Sequence, residues 1–236
     1  MCGRFSLTSA PEAMRALFDY KNLSNLEPRW NVAPTQPVAV VRPAGEGSGR
    51  RELAMLRWGL VPPRARDSAM AAKMINARSE TVAEKPAFRD AFRHRRCLVP
   101  ADGFYEWRPE NGVRQPFRIG MKGGGIFAFA GLWERWTAPV PVPALGLAAG
   151  EVLESVAIIT TDANEKLRPI HDRMPAILPP ESYGDWLDVA GCPPGRARAL
   201  LGPYPPGPMA FYRVGMRVNN VRHDDPECVR PLRAAG

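Results

Sequence analysis

The chain is predicted to be α+β: a single domain built on a curled, mainly antiparallel, barrel-like β-sheet with flanking helices. Three observations predict it. About eight short apolar runs are each bounded by Pro, Gly or Asp, as strand ends usually are. The helical signals are few and fall irregularly between these runs, so the regular βαβ alternation of a doubly wound nucleotide fold is absent. At 236 residues, with 45% apolar and 24% charged residues, the chain can bury a sizeable core and is too apolar for wholesale disorder.

In chain order, Ser9-Ala10-Pro11-Glu12 reads as a capping box, in which the serine and the glutamate satisfy each other's end of a helix. Met14, Leu17 and Phe18 then recur at the spacing of one buried helix face. Strands are predicted over Val38–Val41 and Leu53–Trp58. A second helix runs from Ser79 to about Arg93, with Phe88 and Phe92 on one side and Pro86 interrupting it. Further strands follow over Cys97–Val99, Phe104–Trp107, Pro116–Ile119, Ile126–Leu132, Ser155–Thr161 and Ala176–Leu178. Weaker helical signals cover Glu181–Val189 and Arg196–Leu201. The stretch Pro139–Gly150, PVPVPALGLAAG, is of low complexity and is expected to be a mobile surface loop joining two strands rather than a boundary. There is no internal repeat. The domain is placed at 1–225, with 226–236 as a C-terminal tail.

Composition narrows the function. Thirty-two Lys and Arg against 24 Asp and Glu leave a formal charge of +8, which draws polyanions, nucleic acid foremost. An Arg-, Ala-, Pro- and Gly-rich proteome would produce the same excess without any such partner. No apolar run reaches the roughly 18 residues of a membrane span, and the start MCGRFSLTS has Arg4 and no apolar stretch of a secretory signal. Cys2, Cys97, Cys192 and Cys228 are scattered. They form neither a zinc knuckle nor a disulfide framework, so a reducing cytoplasm is the expected compartment. No metal or organic cofactor is implied. Cys97, Cys192 and Cys228 lack ligand spacing and read as buried apolar fillers.

Four clusters can carry chemistry. The first is Cys2. Methionine aminopeptidases remove Met1 before a small residue, leaving an amine and a thiol on adjacent carbons. Ordinary pKa values of roughly 7.7–8.0 and roughly 8.5 keep both partly deprotonated near neutrality. Such a pair can serve as an N-terminal nucleophile with the amine as base, or it can trap an aldehyde as an imine that the thiol closes to a thiazolidine. Otherwise the cysteine is accidental and the terminus frayed. Gly3 permits a substrate to approach closely.

The second cluster, Asn76-Ala-Arg78-Ser-Glu80, follows apolar Met74-Ile75. Asn76 can reach a substrate or the terminus, while Ser79 suits a helix N-cap. In the third, Glu106 lies between Tyr105 and Trp107. It is either a strand's outward charge or a desolvated carboxyl suited to proton transfer. In the fourth, His171 precedes Asp172 and Arg173, whereas His94 and His223 sit in charged, loop-like contexts. His171 is a candidate general acid/base whose tautomer a carboxylate sets, or a satisfied structural histidine. Trp30-Asn31 with Pro34, and Arg57-Trp58 with Pro62, set aromatics beside a cation or amide at turns. Single-stranded nucleic acid stacks on such groups, and ordinary core edges also contain them.

The blocks MCGRF, WNVAPTQ, RWGLVP, INARSET, RRCLVPADGFYEW, ITTDAN and IHDRMPAIL, in that order, closely resemble the SRAP family of SOS-response-associated peptidases, understood as abasic-site processing proteins. The resemblance runs from Cys2 to about Val221. It implies that Cys2 captures the ring-opened aldehyde of an abasic site in single-stranded DNA as a thiazolidine crosslink. It implies that Asn76 orients the terminus and sugar, that Glu106 bonds the amine and moves protons, and that His171 assists sugar opening and reversal. Arg4, Arg78 and Arg173 match the family's arginines near the flanking phosphates, and Asn31, Pro34 and Trp58 are expected on the same DNA-binding face. The expected partner is single-stranded DNA containing abasic sites, bound by a monomer that joins the nucleoid only when on DNA. The adduct could be permanent, reversible, or followed by strand cleavage as in a lyase. A class II amidotransferase-like hydrolase, a peptidase acting on other proteins, and a plain single-strand binding module are the competing readings.

Overall fold

The computed structural model describes residues 2–22, 25–45 and 48–232. It begins with β1 (Phe5–Leu7), whose three side chains are all buried, followed by helix α1 (Pro11–Phe18), which buries Met14 and Phe18. Then come β2 (Arg29–Val32), β3 (Pro37–Pro43), β4 (Arg51–Trp58), β5 (Asn76–Arg78), α2 (Arg89–His94), β6 (Arg96–Ala101), β7 (Gly103–Glu110) and β8 (Val113–Met121). The chain continues through β9 (Phe127–Thr137), β10 (Val152–Asp162), β11 (Arg173–Pro175), β12 (Ile177–Leu178), α3 (Tyr183–Leu187), α4 (Pro194–Ala199) and β13 (Met209–Arg213).

Strands β10, β4, β3, β6 and β9 pair in that order, and β9 pairs back with β10, closing a five-stranded barrel. The β10–β4 contact is parallel and the others antiparallel. Closure explains the near-continuous apolar runs of β6 and of the middle of β10, since a closed ring leaves no edge to solvate. A second, antiparallel sheet has the order β13-β8-β7-β1-β2. The two share one core. Phe5 of β1 meets Trp58 of β4 at 5.2 Å and Phe129 of β9 at 5.9 Å, edge to face, and Phe104 of β7 meets Phe129 at 6.0 Å. The protein is therefore a single α+β domain with a barrel, as the strand pattern predicts.

The helices lie outside the barrel. Arg96, buried in β6, donates to the carbonyls of Trp186, Asp188 and Cys192 at 2.7–2.9 Å. It thereby satisfies the orphan end of α3 and fastens it to the barrel. No helix among the described residues is long and apolar enough to cross a membrane.

Several local expectations are corrected. The capping box does not form: α1 starts after Ala10 with Pro11 leading and no side-chain cap. Asp102 has taken the candidate cap Ser9 instead, accepting from its Oγ at 3.4 Å as well as from Thr8 Oγ1 at 2.7 Å. The helix expected over 79–93 is α-helical only at Arg89–His94; Thr81–Phe88 runs as turns, because Pro86 lacks the N–H a continuous helix needs. The Pro139–Gly150 stretch does join two strands, β9 and β10, through a short 3₁₀ turn at Pro143–Leu145.

The boundary expected at 225 is also not structural. Cys228 is buried, Pro231 bridges to Val214, and the Leu232 N–H donates to the Arg213 carbonyl at 2.9 Å. Residues 226–232 complete the β13 end of the second sheet, and the rest of the expected tail, 233–236, lies outside the described residues.

A candidate site around the N-terminal cysteine

Three strands carry the site. Tyr105 N–H donates to the Arg4 carbonyl at 3.0 Å, extending the β1–β7 ladder toward the start of the chain. The same ladder brings Cys2 into the electrostatic reach of Glu106, the fourth residue of β7. β5 pairs with β10 in parallel, Ile158 opposite Asn76, and the Trp58 indole N–H anchors the preceding Ile75 carbonyl at 2.9 Å. Asn76 Nδ2 then donates to the Cys2 carbonyl at 2.9 Å. On the other side of β10, β11 pairs Arg173 with Asp162, which places His171 immediately before that strand. Glu106 and His171 interact electrostatically. Cys2, Asn76, Glu106 and His171, four of the residues expected to act together, converge.

Burial decides the charge states here. The Cys2 thiol is fully buried in the chain that carries Met1. Its pKa is pushed far up by that burial first and by Glu106 second, against a contact from the Arg4 backbone. In the chain that carries Met1 the sulfur is therefore held toward its neutral S–H form, whereas the expectation of a partly deprotonated thiol concerns the chain after Met1 removal. Glu106 is 4% exposed. Loss of water holds its carboxyl above the ordinary carboxylate range, while His171 and Arg114 pull it back. A carboxyl held toward its protonated form and interacting with both a thiol and an imidazole is suited to passing a proton.

The expected DNA-contacting residues divide. Arg78 is exposed on β5, two positions from Asn76. Arg4 is half-buried, donating to Asn31 Oδ1 at 2.8 Å and to the Val218 carbonyl at 2.6 Å, with Trp107 5.9 Å away. Asn31 is fully buried, and its amide donates to the carbonyls of Val218, Asn220 and His223 at 2.6–3.2 Å. It clamps the chain behind the site instead of facing a ligand. Trp58 is also fully buried and serves the core. Pro34 is half-buried in the turn after β2, where Thr35 N–H reaches the Trp58 carbonyl at 2.8 Å. Arg173 is not a ready phosphate contact. Its guanidinium donates to Glu80 at 2.7 and 3.1 Å, to Asp162 at 2.8 Å and to the Thr160 carbonyl at 2.7 Å.

The sequence reading missed the neighbouring pocket. Arg4, Trp107, Arg114 and Asn219 line an open depression of about 330 Å³. Trp107 Nε1 donates to Asn219 Oδ1 at 2.7 Å. The Asn111-Gly112 turn is the signal that brings Arg114 back, opposite Pro109 in the β7–β8 register. Nothing local marks Asn219. Among the described residues, no three His, Cys, Asp or Glu side chains are grouped to hold a metal ion.

The fold and site together define a barrel-based α+β protein whose N-terminal cysteine lies among an amide, a carboxyl and an imidazole. Residues 1–221 match the family described as SOS response associated peptidase (SRAP). The chain belongs to that family. It is 40% identical over 233 residues to the abasic site processing protein YoqW of Bacillus subtilis, covering 97% of this chain and 99% of that one. It is 31% identical to the abasic site processing protein HMCES of Xenopus tropicalis, covering 98% of this chain and 78% of the relative. The crystal structure of a protein from Bacteroides thetaiotaomicron superposes with a TM-score of 0.81 at 28% identity, covering 98% of this chain and all of that one.

Proposed function

We propose that this protein recognises abasic sites in single-stranded DNA and, once Met1 is removed, captures them covalently through Cys2. The relatives named as abasic site processing proteins support the lesion, and the observation that carries the chemistry is that Asn76 bonds the Cys2 carbonyl while Glu106 interacts with both Cys2 and His171. With Met1 attached the Cys2 nitrogen is an amide and cannot condense with an aldehyde. Removal supplies a primary amine.

In this reading His171 assists opening of the sugar to its aldehyde. The Cys2 amine attacks the C1′ carbonyl, and Glu106 protonates the departing hydroxyl, so an imine forms and water leaves. The thiol sulfur adds to the imine carbon, its proton passes to the nitrogen through the Glu106 carboxylate, and a five-membered thiazolidine closes. Starting from S–H suits this sequence, because the thiol is needed as a nucleophile only after the imine exists. Asn76 holds the Cys2 carbonyl and so aims both reacting atoms. Of the three expected arginines, Arg78 is the exposed one and so the one open to a flanking phosphate, and phosphate contacts position a strand without reading its sequence.

The test is an untagged protein incubated with an oligonucleotide containing one abasic site and resolved on a denaturing gel. A shifted band is expected, lost in Cys2→Ala and when Met1 is retained behind an N-terminal tag. Absence of the band with processed wild-type protein sinks the proposal, and glutaminase activity in its place would favour the hydrolase.

A further inference from the structure

One ring nitrogen of His171 meets two groups of opposite character. The Arg173 main-chain N–H donates to Nδ1 at 2.9 Å. Oδ1 of Asp172 lies 2.8 Å from the same nitrogen. The amide requires a lone pair on Nδ1 and the carboxylate requires a proton there, so a single protonation state cannot satisfy both. The loop that holds them is stiff. Ala163 N–H donates to the Asp172 carbonyl at 2.9 Å, His171 N–H to the Leu167 carbonyl at 3.0 Å, and the Leu167 N–H to Asn164 Oδ1 at 3.0 Å.

We infer that Asp172 and the Arg173 amide form a two-position latch that selects the tautomer of His171, making Asp172 a positioning residue for the reaction proposed above. With the amide engaged, the neutral ring carries its proton on Nε2 and acts toward the sugar as a donor. With the carboxylate engaged, the proton sits on Nδ1 and Nε2 presents a lone pair, so it acts as a base. Opening a cyclic hemiacetal needs a base and then an acid, and the carboxylate-engaged ring supplies both, first as the neutral base and then as the imidazolium. Nε2 takes the proton of the C1′ hydroxyl, the C1′–O4′ bond breaks with its electron pair going to O4′, and that oxygen takes the proton back from Nε2. The sugar isomerises with no other reactant. Asp172 stabilises the imidazolium between these two transfers.

The charged surroundings are consistent with this division of labour. Glu106 on β7 interacts electrostatically with the ring and with the Cys2 thiol, and Arg114 on β8 acts on Glu106 in turn. The Arg173 guanidinium is committed to Glu80, Asp162 and the Thr160 carbonyl. Asp172 is therefore the carboxylate at Nδ1, and its side chain is 84% exposed, so replacing it leaves the core untouched.

Two measurements test the latch. Long-range proton–nitrogen NMR correlation reads the His171 tautomer without any DNA. In Asp172→Asn the neutral ring is expected to move toward the Nε2–H form, because the amide of Arg173 is then the remaining partner of Nδ1. In kinetics on a saturating abasic-site oligonucleotide, Asp172→Asn is expected to slow crosslinking roughly three- to tenfold. Affinity for an undamaged strand stays unchanged, Asp172→Glu recovers most of the rate, and no further loss occurs in a His171→Ala background. An identical tautomer ratio with and without the carboxylate, or a loss that persists without His171, overturns the latch. If wild type fails to crosslink at all, the functional reading fails, while the NMR correlation pattern still decides the tautomer.

Discussion

Asn76 Nδ2 and the Cys2 carbonyl oxygen are 2.9 Å apart, a hydrogen bond that ties the start of the chain to the first residue of β5. A chain end ordinarily frays because few contacts oppose its entropy. Here one side-chain amide fixes the backbone next to the nitrogen and sulfur proposed to react. Asn76→Ala should therefore leave the fold intact and slow capture about tenfold, the rate equivalent of roughly 1.4 kcal/mol of lost positioning. Quenched-flow crosslinking at saturating oligonucleotide measures it. A weaker Kd with unchanged saturated rate would instead make Asn76 a binding residue.

Glu106 makes an opposite pair of demands on stability and activity. Burial raises its pKa in the folded state, so the native protein binds its proton more tightly than the unfolded chain does. The resulting stability is present in full below the unfolded pKa and is lost as pH rises through the folded one. Glu106→Gln removes that penalty. Its Tm should exceed wild type by roughly 2–4 °C at about pH 8, the effect of about 1 kcal/mol in a chain of this size, and the gain should vanish near pH 4. Crosslinking should meanwhile fall at least about tenfold, because the amide can neither donate nor accept the proton. Scanning calorimetry across pH checks the first claim. A Tm difference that grows toward acid would reverse the assigned direction.

The barrel was legible because its strands are long enough to show composition: Val38–Val41, Leu53–Trp58 and Ser155–Thr161 all fall inside observed strands. The elements that build the site were not. β1, β5 and β11 have three residues each, too few for a two-residue period to stand out, and each exists because a longer strand pairs with it. Motif blocks nonetheless found Cys2, Asn76, Glu106 and His171. What motifs could not convey was burial. Asn31 and Trp58 look like DNA contacts when read beside turns, yet both are fully enclosed. Arg173 likewise looks available until Glu80 and Asp162 are seen around it.

That difference separates two arginines experimentally. Arg78 is exposed, whereas Arg173 bridges β11 to Glu80 and Asp162. Arg78→Ala should weaken binding of an undamaged single strand and reduce the salt slope of log K by about 0.7, the share of one phosphate contact, with Tm unchanged. Arg173→Ala should lower Tm with a smaller effect on the slope. Fluorescence anisotropy at several salt concentrations, paired with thermal melts, distinguishes them. Equal slopes with equal Tm losses would mean that both act through the fold.

Asn31 supplies the sharpest contrast between a clamp and a contact. Its amide serves the carbonyls of Val218, Asn220 and His223 and accepts from Arg4. Asp224 reinforces the same junction, accepting from the Trp30 and Asn31 N–H groups at 2.6 and 2.9 Å. Truncating a buried amide leaves its partners without hydrogen bonds, at a cost of about 1–3 kcal/mol for each orphaned group before relaxation. Asn31→Ala should therefore lose about 2–4 kcal/mol in urea titration. Its salt slope for single-stranded DNA should match wild type, since no phosphate contact has been removed. Arg4, deprived of one anchor, becomes more mobile beside Trp107, so capture slows by a factor well below the loss in folding equilibrium. A stable Asn31→Ala protein with a shallower salt slope would return this residue to the DNA-binding face.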